Sequence, residues 1–216
     1  MMRLAAYIAA CTRPTRGAAA ALAIAGLGCS LISAPAAAAP ETYAFDKAHT
    51  EVRFSWDHLG LSRQSGRFLD VAGSVVFDAE KPEASQIDVK IPLKSLTTGV
   101  NALDDVLLKT PDYLDAGRHP EIAFKSTEVA MSTARTATVS GELTFNGVTR
   151  PVVLSVVWNF SGEHPLSKIN PVYSGVYATG FSARTQILRS DFGITRSVPL
   201  VSDEIRITIE AELHRK

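Results

Sequence analysis

Residues 51–59 read EVRFSWDHL, and the spacing of their side chains decides the fold class. Val52, Phe54, Trp56 and His58 occupy every second position, with Arg53, Ser55 and Asp57 between them. An extended strand turns successive side chains to opposite faces, so this stretch has one largely apolar face and one polar face. A helix, with its 3.6-residue repeat, would scatter the same residues around its circumference.

The same alternation recurs on either side. In SQIDVKIPLKSL (85–96), Ile87, Val89, Ile91 and Leu93 oppose Gln86, Asp88, Lys90 and Pro92; in EIRITIEAEL (204–213), Ile205, Ile207, Ile209 and Leu213 oppose Arg206, Thr208, Glu210 and Glu212. SGRFLDVAGSVVFD (65–78), EIAFKSTEVAM (121–131), TATVSGELTF (136–145), RPVVLSVVWNF (150–160) and GVYATGFSARTQIL (175–188) are rich in β-branched and aromatic residues and bounded by Gly, Pro, Asn or Asp. With a short first strand at TYAFD (42–46), the tally is about eight or nine strands. Asn146-Gly147 separates two strand patterns and marks a two-residue hairpin, so strands 139–145 and 151–160 are expected to be antiparallel neighbours.

Two segments break the rhythm. NALDDVLLKTPDYLDA (101–116) places Leu103, Val106 and Leu107 at helical spacing, with Asn101 as N-cap and Pro111 as a stop, and predicts a short amphipathic helix over 101–109. In 150–160 both parities are apolar: Val152, Leu154, Val156, Trp158 and Phe160 on one, Val153 and Val157 on the other. The expectation is that the helix covers the second face. RSDFGITRSVPLVSD (189–203) reads as a long loop with a turn of helix, pinned by Arg189 and Asp191.

Strands of this number and alternation build either a two-sheet sandwich or a closed barrel. Their length, and the exposed edges a long open meander would leave, favour the barrel. The class is all-β, antiparallel, with one short inserted helix.

The first 38 residues are set apart. Arg3, Arg13 and Arg16 precede an apolar, Ala-rich run, and Ala36 and Ala38 fit the small-residue spacing of a cleavage site, so 1–38 reads as a secretory signal peptide and 39–216 as one domain. The run is too short and too rich in Ala and Gly for a stable membrane span. Cys11 and Cys29 both lie in this leader, which leaves the rest without thiols for disulfides, redox chemistry or thiolate metal sites. The leader holds three arginines and no acid, so 22 Lys+Arg against 22 Asp+Glu becomes 19 against 22, a formal charge of −3. With no basic patch, nucleic acid is not an expected partner.

The histidines offer no spaced metal motif. His49 and His58 are nine residues apart, about 30 Å along a strand and on opposite faces, so they cannot share an ion. His49 in DKAHT reads as part of a turn; His58 shares the apolar face and ends the strand, where one polar group could orient a ligand at a cavity mouth. His119, His164 and His214 lie in loops or the terminal tail. No G-x-S-x-G elbow, P-loop or dinucleotide fingerprint is present, and no catalytic residue, metal or cofactor is assigned. Solvated carboxylates such as Asp104, Asp105, Asp112 and Asp115 do not change this.

In order along the chain, YAFDKAHTEVRFSWDHLGLSRQSGRF, DDVLLKTPDYLDAGRHPEIAFKST, GELTFNGVTRPV and GFSARTQILRSDFGI with VSDEIRITIEAE resemble the YceI-like family of polyisoprenoid-binding periplasmic proteins. The resemblance covers essentially the whole chain after the leader. It carries Asp46 and His49, His58 and Gly60, Asp105, Leu108, Lys109 and Asp115, Gly147, Val148 and Thr149, and Arg189, Asp191 and Gly193 onto family motifs. Asn146 departs from them, standing where many members have His.

The resemblance implies an extended lipocalin-like antiparallel barrel, exported to the periplasm, that holds an isoprenoid quinone or other long-chain amphiphile. On the parity above, the expected lining is Phe54, Trp56, His58, Phe124, Leu143, Phe145, Leu154, Val156 and Trp158, with His58 near the polar rim. Two other readings compete: a lipid-acting enzyme with His58 as base, and a stress-linked interaction protein whose barrel is filled. A homodimer is left open.

Overall fold

A computed structural model describes residues 39–216; the leader assigned to 1–38, with both cysteines, lies outside the described residues. The alternating segments form eleven strands: β1 (Glu41–Phe45), β2 (Glu51–His58), β3 (Ser62–Phe68), β4 (Ala72–Phe77), β5 (Gln86–Pro92), β6 (Leu96–Thr97), β7 (Glu121–Met131), β8 (Thr136–Phe145), β9 (Val148–Glu163), β10 (Tyr177–Leu188) and β11 (Glu204–Arg215). Helix α1 spans Asn101–Lys109 between β6 and β7. Segment 65–78 gives two strands rather than one, because the chain turns at Leu69–Val71. Gly73, with φ of +115° and Asp88 O only 2.1 Å from where a Cβ would stand, fits the wall there only as glycine.

Eight strands close in the order β1-β4-β5-β7-β8-β9-β10-β11, with β11 returning to β1. All pairings are antiparallel, and closure leaves the ring no free edge. β11 is forked: Arg206–Glu210 pair with β2, and Leu213–Arg215 pair with β1. β2, β3 and β6 continue the wall at one end, tied back to β5 by the turn Leu93–Ser95, whose Leu93 is fully buried.

The hairpin between β8 and β9 turns at Asn146 and Gly147, both left-handed (φ 50° and 73°), as a two-residue turn of the primed type requires. Asn146 Nδ2 also donates to Phe192 O at 2.9 Å, fastening the turn to the late loop.

Further expectations are corrected. Asn101 is the first helical residue and Val100 the N-cap; the helix start is fastened instead by Asp104, whose Oδ1 accepts from Thr98 N and Oγ1, both at 2.7 Å. The helix does not cover the outer face of β9, where Val153 and Val157 stay 54% and 43% exposed, but turns Leu103, Val106 and Leu107 to the barrel interior. A register shift opposite Gly180/Phe181 also takes Phe160 off the lumen face that Trp158 keeps, leaving it partly exposed.

The late loop begins with a short 3₁₀ turn, Arg189–Phe192. Arg189 is buried and donates to the carbonyls of Ser202, Ile194, Arg196 and Val201 at 2.8–3.2 Å. Its carboxylate companion is Asp203, which accepts from Ser190 N and Oγ, and not Asp191, which is exposed.

Candidate functional site

The apolar parity of the strands points inward, and the interior is not filled. A cavity of about 530 Å³ runs through the barrel, within the range of pockets that take small molecules. All nine residues expected from the sequence line it: Phe54, Trp56, His58, Phe124, Leu143, Phe145, Leu154, Val156 and Trp158. A second register shift in β7, between Ser126 and Glu128, moves the inward set from Ile122 and Phe124 to Val129 and Met131. Alternation alone does not give that change.

Two glycines keep the lumen open. Phe54 is paired across the strands with Gly66, and its ring lies where a Gly66 Cβ would be, 2.5 Å from Cζ. Phe124 lies over Gly141 in the same way. Each ring lies against the wall instead of projecting to the axis. Phe54 also stacks on Trp56 (5.8 Å between centroids, 17°) and tilts against Phe68 (5.3 Å), which fixes the aromatic lining.

Where β11 meets β1, Tyr43, Val75, Phe77 and Leu213 form a compact cluster joined by Trp158 and Phe181, with Phe77 edge-on to both rings at 5.1 and 5.2 Å. Burial in this cluster, together with the Glu41 carboxylate its hydroxyl donates to, pushes Tyr43 up to about 12. Toward the opposite end the lining passes to α1, Tyr113, Ile194, Val201 and His58.

Polar groups on the lining are few. His58 ends β2, half-buried, its backbone bridged to Val201; its imidazole has no hydrogen-bond partner among the described residues. Arg189 reaches the cavity too, but its donors are spent on the loop carbonyls; burial pulls its pKa down against the nearby Asp203 charge.

The fold brings together three histidines that sequence spacing kept apart. His49 Nδ1 lies 2.7 Å from Asp46 Oδ2 in the β1–β2 turn, confirming it as a turn residue. His214 Nε2 lies 3.8 Å from the same carboxylate oxygen and 3.3 Å from Glu212 Oε1, and His164 Nε2 lies 3.4 Å from Glu212 Oε1. His164, buried, stacks flat on Tyr173 at 3.8 Å.

Distance alone would let His164, Glu212 and His214 converge on an ion. The tautomer argues otherwise. Leu166 N–H donates to His164 Nδ1 at 3.1 Å, so that nitrogen carries a lone pair and the proton sits on Nε2, facing Glu212. A ligating imidazole needs the reverse, with its second nitrogen donating outward. The cluster is a hydrogen-bonded fastening between the β1–β2 turn, β11 and the connection from β9 to β10.

The YceI-like domain family matches residues 43–213, nearly all of the described chain. A UPF0312 protein of Pseudomonas savastanoi pv. phaseolicola is 39% identical over 175 residues, covering 80% of this chain and 86% of that one. The crystal structure of Burkholderia cenocepacia BcnA superposes with a TM-score of 0.67 at 22% identity, covering 78% of this chain and 98% of that one. A Saccharophagus degradans structure described as a polyisoprenoid binding domain does so at 0.56 and 11% identity, over 82% and 99%. At these identities the two structures speak to the fold alone. The chain belongs to the YceI-like family.

Proposed function

We propose that this member of the YceI-like family is a periplasmic carrier that sequesters the chain of an isoprenoid quinone, or of another long-chain amphiphile, in its barrel. The observation that carries this is the unfilled apolar cavity of about 530 Å³. Burial of the cargo supplies the affinity. At about 0.8 kcal/mol per buried CH₂, two isoprene units contribute several kcal/mol before the costs of association are subtracted, so no elaborate polar site is needed. His58 at the strand end supplies one polar contact for a head group. The description of the S. degradans neighbour as polyisoprenoid-binding points to the same cargo class.

The enzyme reading finds less support. A general base needs a second group to orient it, and His58 has none among the described residues. The interaction-protein reading requires a barrel packed solid, which this one is not.

Organic extraction of protein purified from its own periplasm, followed by mass spectrometry, is the test. A stoichiometric polyprenyl or quinone lipid is expected. A clean extract from protein recovered without detergent overturns the reading.

A further inference from the structure

The hairpin joining β2 and β3 turns at His58-Leu59-Gly60-Leu61, where Leu61 N–H donates to His58 O at 2.9 Å. Both central residues are left-handed, Leu59 with φ of 57° and Gly60 with φ of 69°. Such a turn favours Asn, Asp or Gly at its first central position, and a leucine there is strained. Leu59 is also 47% exposed, and Leu61 is 82% exposed. Leu200 stands beside them: its carbonyl accepts from Leu59 N–H at 2.9 Å, and it is 68% exposed. A strained leucine about half in water, grouped with two leucines that are still more exposed, gives the fold little return for its strain and points to a role beyond packing.

The place of these leucines shows what that role is. His58 immediately precedes Leu59, and Val201 immediately follows Leu200; both line the cavity and bridge to each other. Apolar surface therefore runs from the hairpin tip into the lumen at this end. The charges nearby are neutralised in place, Arg63 on Asp57 at 3.1 Å and Arg196 on Asp112 at 2.9 Å, so no net field calls for an anionic partner. Three leucines on a projecting tip also make a small wedge, not the broad face of about 800 Å² per partner that a stable protein interface buries.

We propose that Leu59, Leu61 and Leu200 insert into the hydrocarbon edge of a lipid bilayer, docking the His58 end of the barrel on the membrane so that cargo passes between bilayer and lumen without crossing water. This rests on the carrier reading for its purpose, but the docking itself is measured separately. The occupant is hydrocarbon because that phase both solvates the leucines and holds the cargo.

The experiment is co-sedimentation of the purified protein with phosphatidylcholine vesicles, at low and raised salt, alongside Leu61→Glu and Leu200→Glu. Both side chains are largely solvent-exposed, so circular dichroism should show both variants folded. The native protein is expected to partition onto vesicles with little salt dependence, and each variant to lose at least about tenfold in partitioning. Because Leu61 and Leu200 do not line the cavity, lipid supplied from detergent should bind the variants as it binds the native protein, while loading from vesicles should be slower.

Absence of vesicle binding by native protein that does carry lipid overturns the docking and leaves the carrier reading standing. Binding that survives both substitutions, or that salt abolishes, overturns it too. Leucine-dependent self-association without vesicle binding would assign the tip to a second copy of the chain. Leucine-dependent vesicle binding with a blank extract would uphold docking and remove the carrier.

Discussion

Gly66 and Gly141 stand under the rings of Phe54 and Phe124, and they do not tolerate a methyl group equally. The three atoms nearest a Cβ at Gly66 all belong to the Phe54 ring, a side chain bordering open lumen that can yield at the cost of its contacts with Trp56 and Phe68. A Cβ at Gly141 meets Phe124 and also Lys125 O at 2.6 Å, and that backbone cannot move without breaking the ladder. Gly141→Ala is expected to lower stability in urea by about 1–3 kcal/mol, and Gly66→Ala by clearly less. Equal losses would show that the rings are not free to move. Arg189 is the second residue whose role is local. Replacing it with Met orphans four loop carbonyls and should cost about 3 kcal/mol; Lys should not restore it, because three donors on a flexible stem do not reproduce the planar fork. Unfolding of the two variants side by side checks this. The sequence marked Arg189 for this loop but paired it with Asp191, since a neighbour in the chain is visible to spacing and Asp203 is not.

Among the elements, the turn between β1 and β2 carries a pH dependence with two limits. The hydrogen bond and charge of Asp46 hold His49 above its ordinary pKa, with Glu212 adding to this against slight desolvation. Partial burial pushes Asp46 up, but the hydrogen bonds from His49 and the Ala48 amide, with the charges of His49 and His214, outweigh it and hold the carboxyl below its usual range. His49 therefore contributes stability that is fully present below its ordinary pKa and lost as pH rises through the raised one. Asp46 contributes stability that is present above its ordinary pKa and lost as pH falls through the depressed one. The pair stabilises between those limits, and because His49 is exposed the contribution is no more than about 1 kcal/mol. In Asp46→Asn the fall in thermal stability from mildly acid to mildly alkaline pH should shrink; an unchanged slope would place the titration elsewhere. The turn itself was legible from Asp46 and His49. The meeting with His164 and His214 was not, because strand closure brings together positions more than a hundred residues apart that no local pattern links.

At the scale of the molecule, the alternation that begins at Val52 gave the inward face along most of each long strand, and with it the nine residues expected to line the cavity. What it missed are the places where a ladder slips: Phe160 leaves the lumen and Val129 enters it at register shifts that leave no mark in composition. The openness of the barrel was not legible either, since it depends on glycines seated under particular rings. Openness can be removed deliberately. Ala183 is buried and faces the lumen from β10 among larger side chains, so Ala183→Phe should occupy the axis at a tolerable cost in stability and reduce copurified lipid by about tenfold or more. A folded Ala183→Phe protein that retains its lipid would mean that cargo rests elsewhere.

The forked strand β11 has a further consequence. It lends one edge first to β2, through five residue pairs, and then to β1, through three. Lys216 N–H donating to Thr42 O and Asp46 N–H donating to Glu212 O extend that seam at its two ends, and Arg215 pairs with Glu41 across it, so the cylinder closes through a short, reinforced zip rather than a uniform hoop. Parting the ring there would bare the buried Tyr43 and Leu213, so the seam is short but costly to open, while the longer flank against β2 holds the His58 doorway in shape.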